Sequence, residues 1–164
     1  MKLLNVVLFK TNWAACVLGG TFWGLAGVAM LLTYSYYAGT LKRDVPLLVG
    51  LVCIGSVLDS AWIMLGILDY GTALAPLWIL LLWAGLAMTL NHSMAVFRAY
   101  PVIGAIMAAG AAPVTYLTGE SLGAVTVANV EGLALVALSW GILFFIVFKF
   151  PPIGRKLEAS PGTS

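Results

Sequence analysis

Three ionisable side chains, Lys10, Asp59 and His92, stand inside long apolar stretches of this sequence. A charge at the centre of a membrane-spanning helix costs about 2.5–3.5 kcal/mol on insertion scales, so such a group needs a partner, a cavity or a function. Asp59 is a candidate proton or substrate site. The alternative is an interhelical hydrogen bond in which Ser, Trp or backbone groups hold the carboxyl.

His92 is the only histidine of the chain, and the polar residues Asn91 and Ser93 flank it. An imidazole exchanges a proton near neutral pH, which makes His92 a candidate proton relay, general base or headgroup ligand. The alternative is a polar contact between helices. One histidine cannot supply the multi-histidine iron site of membrane desaturases and hydroxylases, and the two cysteines lack metal-ligand spacing. We therefore predict no metal and no cofactor.

Lys10 and Asn12 are predicted to lie at a membrane depth similar to that of His92 and Asn91, in one polar layer that faces the cytoplasm. A long lysine side chain can also snorkel to the headgroups, which is the alternative for Lys10. Asp59 lies deeper, roughly 21 Å from the cytoplasmic end of its helix. The candidate functional polar cluster therefore comprises Asp59, Asn91, His92, Ser93, Lys10 and Asn12.

The elements that must position these groups follow from composition. Hydrophobic residues make up 62% of the chain and charged residues 9%, against about 45–50% and about 25% in soluble domains. The formal net charge is only +2 and no dense Lys/Arg block is present, so nucleic acid is excluded as a partner. We expect an all-α, polytopic integral membrane protein, with a transmembrane helical domain at 1–150 and a disordered cytoplasmic tail at 151–164.

Six segments approach the length of about 20 apolar residues that one membrane crossing requires. The predicted helices span about 3–18, 21–38, 45–68, 75–97, 101–117 and 130–148. Gly19-Gly20 is predicted to reverse the chain between the first two, since glycine adopts the backbone angles of a tight turn. The alternative is a bundle of five helices, with 3–9 on the membrane surface and one span over 12–34.

The distribution of charge favours six helices over five. With six, seven of the eight basic residues fall on one side, which the positive-inside rule makes cytoplasmic together with both termini. The fifth helix carries Gly104, Ala108 and Ala112 four residues apart, so this small-residue face should contact another helix closely. An oligomer formed through that face is one possibility.

Three stretches of the chain, at 8–19, Asp59-Ser60 and 75–93, resemble the bacterial inner-membrane proteins grouped as domain of unknown function 2878. The most specific part runs from Ala75-Pro76-Leu77-Trp78 to Leu90-Asn91-His92-Ser93, and the resemblance covers nearly the whole chain. Lys10 departs from the pattern, which has a neutral polar residue there. The resemblance implies a small multi-span protein of the bacterial inner membrane, often encoded beside enzymes that modify membrane fatty acids, and it implies no established activity.

Three functions are consistent with these features. The first is an accessory or lipid-handling component whose partners are membrane lipids and a cytoplasmic or membrane lipid-modifying enzyme. The second is a small transporter or solute-binding component that uses Asp59 and His92. The third is a membrane enzyme with His92 as general base or acid. No nucleophile is evident near His92 in the sequence, so we favour the first and lean against an enzyme.

Overall fold

The computed structural model describes residues 2–150. Within them the chain forms five α-helices, which are α1 (Lys2–Tyr37), α2 (Leu41–Met64), α3 (Leu77–Ala87), α4 (Pro101–Ser121) and α5 (Leu133–Lys149). A 3-10 helix covers Ser93–Arg98, and two-residue strands β1 (Leu68–Asp69) and β2 (Thr126–Val127) pair antiparallel. The predicted all-α class is confirmed. The predicted tail at 151–164 lies outside the described residues.

Helix α1 consists of two limbs that meet at Gly20. This glycine has φ 63° and ψ −150°, which no helix contains. A Cβ placed on Gly27 would lie 3.0 Å from the Asn12 Cα, whereas a continuous helix would separate these residues by about 22 Å. The first limb (residues 2–19) and the second limb (residues 21–37) therefore pack side by side. The predicted reversal at Gly19-Gly20 is confirmed, and an unbroken helix over 12–34 is wrong.

The helix termini gather at two opposite ends of the bundle. At the polar end, defined by Asn5, Ser35, Asp44 and His92, Asn5 accepts a hydrogen bond from Ser93, and Ser35 and His92 both donate to Asp44. At the strand end, β1 pairs with β2 in the register Leu68 to Val127 and Asp69 to Thr126. Residues near the start and the end of α1 thus lie together at the polar end.

Helix α2 spans 41–64 where the sequence predicted 45–68. It ends early because Gly66 takes φ 66°, and the amides of Gly66 and Ile67 donate to the carbonyls of Ile63 and Trp62. This Schellman pattern satisfies the last carbonyls of a helix and terminates it. The same pattern at Gly123 ends α4 at Ser121, four residues beyond the prediction.

The continuous helix predicted over 75–97 is wrong. Helix α3 stops at Ala87, and His92 has the non-helical angles φ −117° and ψ −98°. Thr89 Oγ1 donates to the Leu86 carbonyl at 2.6 Å, and Asn5 Nδ2 donates to the Met88 carbonyl at 3.1 Å. Side chains thus donate hydrogen bonds to backbone carbonyls that would accept from backbone amides if the helix continued. His92 therefore lies in a turn between α3 and the 3-10 helix.

Three helices of the described chain, α1, α2 and α4, are long and apolar enough to cross a membrane, and α3 and α5 are shorter apolar helices. Large apolar side chains are exposed on α1, α2, α4 and α5, among them Leu3, Phe22, Val57, Ile106 and Leu138. Soluble monomers rarely expose apolar surface on this scale. The chain thus has the surface of a membrane protein.

Helix α3 lies at the centre of the bundle. Residues 83–90 are all buried, and α3 packs against both α1 and α2, while α4 packs against α5. The small-residue face of α4 is buried within the chain, because Phe148 and Phe97 lie where a Cβ on Gly104 would be. The predicted close helix contact of this face is therefore intramolecular. The face is no longer free to form the oligomer that the sequence allowed.

Candidate functional site

The carboxylate of Asp44 is the centre of a buried hydrogen-bond cluster at the polar end. Asp44 lies in the first turn of α2 with 0% of its surface exposed. Its Oδ2 accepts from Thr40 Oγ1 at 2.7 Å, from His92 Nε2 at 2.9 Å and from Ser35 Oγ. Its Oδ1 accepts from Asn91 Nδ2 at 2.6 Å. We call these five residues the Asp44 cluster.

Asp44 was not among the candidate residues predicted from the sequence. It follows Lys42-Arg43 and lies between the helices predicted over 21–38 and 45–68. The signal that could have found it is Thr40, a residue type that caps helix N-termini, followed by an acidic residue within the first helical turn. The structure places Thr40 at the N-cap of α2.

His92 is held from two sides. Its side chain is 8% exposed, its Nε2 contacts Asp44, and its ring packs edge-to-face on Tyr34 with 5.1 Å between the centroids. The Asp44 carboxylate can only accept a hydrogen bond, so His92 Nε2 must be the donor. In the neutral ring the proton therefore lies on Nε2, and Nδ1 carries the lone pair. General-base catalysis uses the same arrangement, in which a carboxylate accepts a hydrogen bond from one ring nitrogen of a histidine and orients the ring.

Asn91 and Ser93, which flank His92 in the sequence, contact different parts of the protein. Asn91 donates to Asp44 and accepts a hydrogen bond from the Arg98 guanidinium. Ser93 Oγ donates to Asn5 Oδ1 at 2.7 Å, and this asparagine also bonds the Met88 carbonyl. The 91–93 triplet therefore connects the first limb of α1, the start of α2 and the 3-10 helix.

Asp59 lies in a second buried cluster toward the strand end. Its Oδ2 accepts from Trp83 Nε1 at 2.7 Å, and its Oδ1 accepts from the hydroxyls of Tyr70 at 2.9 Å and Tyr116 at 3.0 Å. Burial and then the charge of Asp59 raise the pKa of Tyr70 above its ordinary value, so this hydroxyl stays a donor. The interhelical hydrogen bond with a Trp donor is thus present. We call these four residues the Asp59 cluster.

Gly55 makes room for the Asp59 cluster. It lies one turn before Asp59 in α2, and a Cβ at this position would overlap the Trp83 ring. The ring therefore rests directly on the α2 backbone, with its indole nitrogen directed at the carboxylate. Asp59 and His92 lie in different hydrogen-bond clusters.

Asn12 fastens the α1 hairpin to α3. Its side chain lies between Gly27 and Gly85, and a Cβ on either glycine would overlap it. Its Nδ2 is 3.5 Å from the Leu81 carbonyl, and Cys16 Sγ donates to its Oδ1 at 4.0 Å. The structure does not bring Asn12 into the Asp44 cluster. Its position here is that of a packing residue.

Lys10 lies apart from both clusters, on the wall of an apolar cavity of about 370 Å³. The first limb of α1, α3, α4 and α5 enclose this cavity, and its apolar walls include Phe9, Trp13, Leu86, Met107, Trp140 and Phe144. Lys10 is the one charged side chain among the described residues that line it. Trp83 and Tyr116 of the Asp59 cluster also line the cavity, so Asp59 fixes part of its wall.

The described residues contain no group of three or more His, Cys, Asp or Glu side chains that could hold a metal ion. Residues 2–146 match a protein family described as "Protein of unknown function (DUF2878)". No curated protein and no solved structure matches the chain. The predicted membership of the domain of unknown function 2878 family is therefore confirmed.

Proposed function

The chain belongs to the DUF2878 family, and from that premise we propose that it is a membrane-embedded lipid-binding protein whose cavity holds one acyl chain. The apolar cavity beside Lys10 is the observation that carries this proposal. Its volume of about 370 Å³ lies within the range of about 300–1,000 Å³ typical of small-molecule sites. Apolar walls of this kind bind hydrocarbon without directional contacts.

The cavity opens on the surface of the bundle. Met107 and Val114 line it and are 57% and 62% exposed, so a chain can enter sideways from the surrounding lipid. The lining residues of α4 run from Gly104 to Thr118, a length of about 21 Å along the helix axis. One leaflet accounts for about half of a hydrocarbon core of about 30 Å, so the cavity accommodates the depth of one leaflet's acyl chain.

The membrane topology is part of the proposal. Because the chain reverses at Gly20, two α1 limbs of about 17 residues each would cross, near the lower limit for a membrane span. With α2, the region 77–98, α4 and α5, the total is six crossings. Lys42 and Arg43 lie next to the Asp44 cluster, and Asp69 lies at the strand end. The positive-inside rule then orients the polar end and both termini toward the cytoplasm, in a bacterial inner membrane.

A direct test uses the full chain in lipid nanodiscs with a photoactivatable acyl-chain probe. Ala111→Trp would place a large ring in the cavity from an exposed position of α4. Ala134→Trp, at an exposed alanine of α5 outside the cavity, is the matched control. We expect strong labelling of wild type and of Ala134→Trp, mapped to cavity residues, and loss of labelling in Ala111→Trp. Equal labelling of all three would refute the proposal.

An accessory role beside a lipid-modifying enzyme extends this proposal. A protein that holds an acyl chain next to a cytoplasm-facing polar end could present lipid to such an enzyme. The test is affinity capture of the intact chain from membranes, with Ala111→Trp as the comparison. An enzyme of lipid modification recovered with wild type and depleted with Ala111→Trp supports the role. Recovery that is the same with both variants counts against it.

A second candidate function is a membrane enzyme, and the contact of 2.9 Å between His92 and Asp44 favours it. Lipid profiles of a deletion strain complemented with wild type or His92→Gln test it. A lipid that accumulates with His92→Gln, while the variant keeps wild-type abundance and acyl-probe labelling, supports general-base chemistry. Identical profiles argue against it. The structure separates Asp59 from His92, and no observation favours the transporter hypothesis over lipid binding.

A further inference from the structure

We propose that the occupant of the cavity is an amphiphile with an anionic head, a carboxylate or a phosphate, and that the Lys10 ammonium binds this head at the mouth of the cavity. This inference rests on the proposed acyl-chain binding and adds the chemistry of the headgroup.

Lys10 combines exposure with a place on the cavity wall. It is exposed at the surface, it lines the cavity together with its neighbours Phe9 and Trp13, and the other described lining residues are uncharged. A chain lying in the cavity would therefore have one cation at its border. An anionic head bound to Lys10 would lie at the surface of the bundle, while its acyl chain would stay among the apolar walls of the cavity.

Lys10 has no acidic partner in the part of the chain that the structure describes. Within residues 2–150, the short contact between His92 and Asp44 at the polar end does not involve Lys10. Among the other basic residues of that part, Lys149 lies over the rings of Phe145 and Phe150, and Arg98 donates to Asn91. An unpaired ammonium on an apolar face is unfavourable in a membrane unless a counterion accompanies it. The head of a bound amphiphile supplies that counterion.

The depth of Lys10 agrees with this role. It lies eight residues after Lys2 along the first limb, which is about 12 Å at the rise of a helix. A snorkelling lysine would reach the headgroup region with its methylene stem and would have no preference for the occupant of the cavity. An ammonium donates three hydrogen bonds from a point charge, so it accepts carboxylate and phosphate alike. Selectivity between an anionic and a neutral head separates the two roles.

The experiment uses the full chain in nanodiscs of zwitterionic lipid and three photoactivatable amphiphiles with the same chain. Their heads are a carboxylate, a phosphate and a neutral alcohol. Wild type is compared with Lys10→Gln, Lys10→Arg and Lys2→Gln, the last being an exposed lysine of the same limb that does not line the cavity. Because Lys10 and Lys2 are both exposed, these changes leave the core packing intact.

We expect wild type to prefer an anionic head over the neutral head by about tenfold, as one charge-assisted contact would give. Lys10→Gln should lose this preference and keep its labelling by the neutral probe, whereas Lys10→Arg and Lys2→Gln should retain the preference. Whichever anionic arm labels more strongly identifies the source as carboxylate or phosphate. Either result supports the inference.

Equal labelling of wild type by anionic and neutral probes, or an unchanged preference in Lys10→Gln, would overturn the inference about the head. If Ala111→Trp still blocks labelling in that case, acyl-chain binding stands and only the headgroup assignment fails. If Ala111→Trp blocks no probe, the proposed function itself fails. Met107→Trp, at a second exposed lining position, provides the same readout should Ala111→Trp fail to fold.

Discussion

His92 Nε2 lies 2.9 Å from Asp44 Oδ2, and this contact joins residues 48 positions apart in the chain. It ties the turn after α3 to the first turn of α2, while Ser35 brings the second limb of α1 to the same carboxylate. The Asp44 carboxylate at the start of α2 thus joins the end of α1 to the turn after α3. We therefore expect the Asp44 cluster to stabilise the polar end of the bundle.

Asp44→Asn should lower the free energy of unfolding by about 2–3 kcal/mol, because it weakens several charge-assisted hydrogen bonds inside the protein. Thermal unfolding in detergent measures the loss. Glu131→Gln, a charge removal at an exposed position near the strand end, is the control and should leave the melting temperature unchanged. If Asp44→Asn melts at the same temperature as wild type, the Asp44 cluster does not stabilise the protein.

Tyr116→Phe should destabilise the protein by about 1.5–3 kcal/mol, since it removes one hydrogen bond to the buried Asp59 carboxylate. Tyr100→Phe removes a hydroxyl from a side chain that is 58% exposed and should have little effect. The comparison is made by chemical or thermal unfolding under identical detergent conditions. Tyr116→Phe should also weaken acyl-probe labelling, because Tyr116 lines the cavity. Equal stability of the two variants would argue against the Asp59 cluster as a structural unit.

Gly85→Ala should cost about 1–3 kcal/mol, because the added methyl group overlaps the Asn12 side chain. In an Asn12→Ala background the same change should cost much less, which a double-mutant cycle detects as a coupling energy. Gly110→Ala is the control, since nothing lies within 4 Å of its Cβ position, and it should stabilise α4 by about 0.5–1 kcal/mol. Additive effects of Gly85→Ala and Asn12→Ala would show that the two residues do not touch.

Cysteine labelling tests the proposed orientation. In a Cys53→Ala background, Ala73→Cys places a thiol in the exposed loop after β1, and Lys42→Cys places one beside the Asp44 cluster. In whole cells, a membrane-impermeant maleimide should label Ala73→Cys and spare Lys42→Cys until the membrane is broken. Cys16 is buried and should not interfere. The reverse pattern would place the polar end outside, and labelling of both would refute a single orientation.

The sequence was informative where a local rule decides the structure. Gly19-Gly20 inside an apolar stretch too long for one crossing predicted the reversal at Gly20. The cost of an isolated carboxyl in a membrane left two interpretations of Asp59, and the one with hydrogen-bond partners is present in the structure. The family pattern was also recognisable from the stretch 75–93. These features depend on residues close together in the chain or on the membrane alone.

The rest depends on contacts between distant segments. The turn at His92 forms partly because Asn5 donates a hydrogen bond to the Met88 carbonyl. Asn5 lies 83 residues before Met88, so no local sequence pattern predicts this contact. The apolar cavity exists only through the relative placement of four helices, so Lys10 was interpreted by depth alone. Asp44 was not a candidate because it precedes the helix predicted over 45–68, and two of its partners, Asn91 and His92, lie almost 50 residues later in the chain.

Asn12 lies between Gly27 and Gly85, and this has a consequence for biogenesis. In the proposed topology, the α1 hairpin would enter the bilayer before residues 77–87 have been synthesised. Until α3 arrives, the amides of Asn5 and Asn12 lack the backbone carbonyls that they bind in the finished bundle. An incomplete chain that ends after α2 therefore exposes two polar groups to lipid, a mark by which membrane quality control could distinguish truncated copies from finished ones.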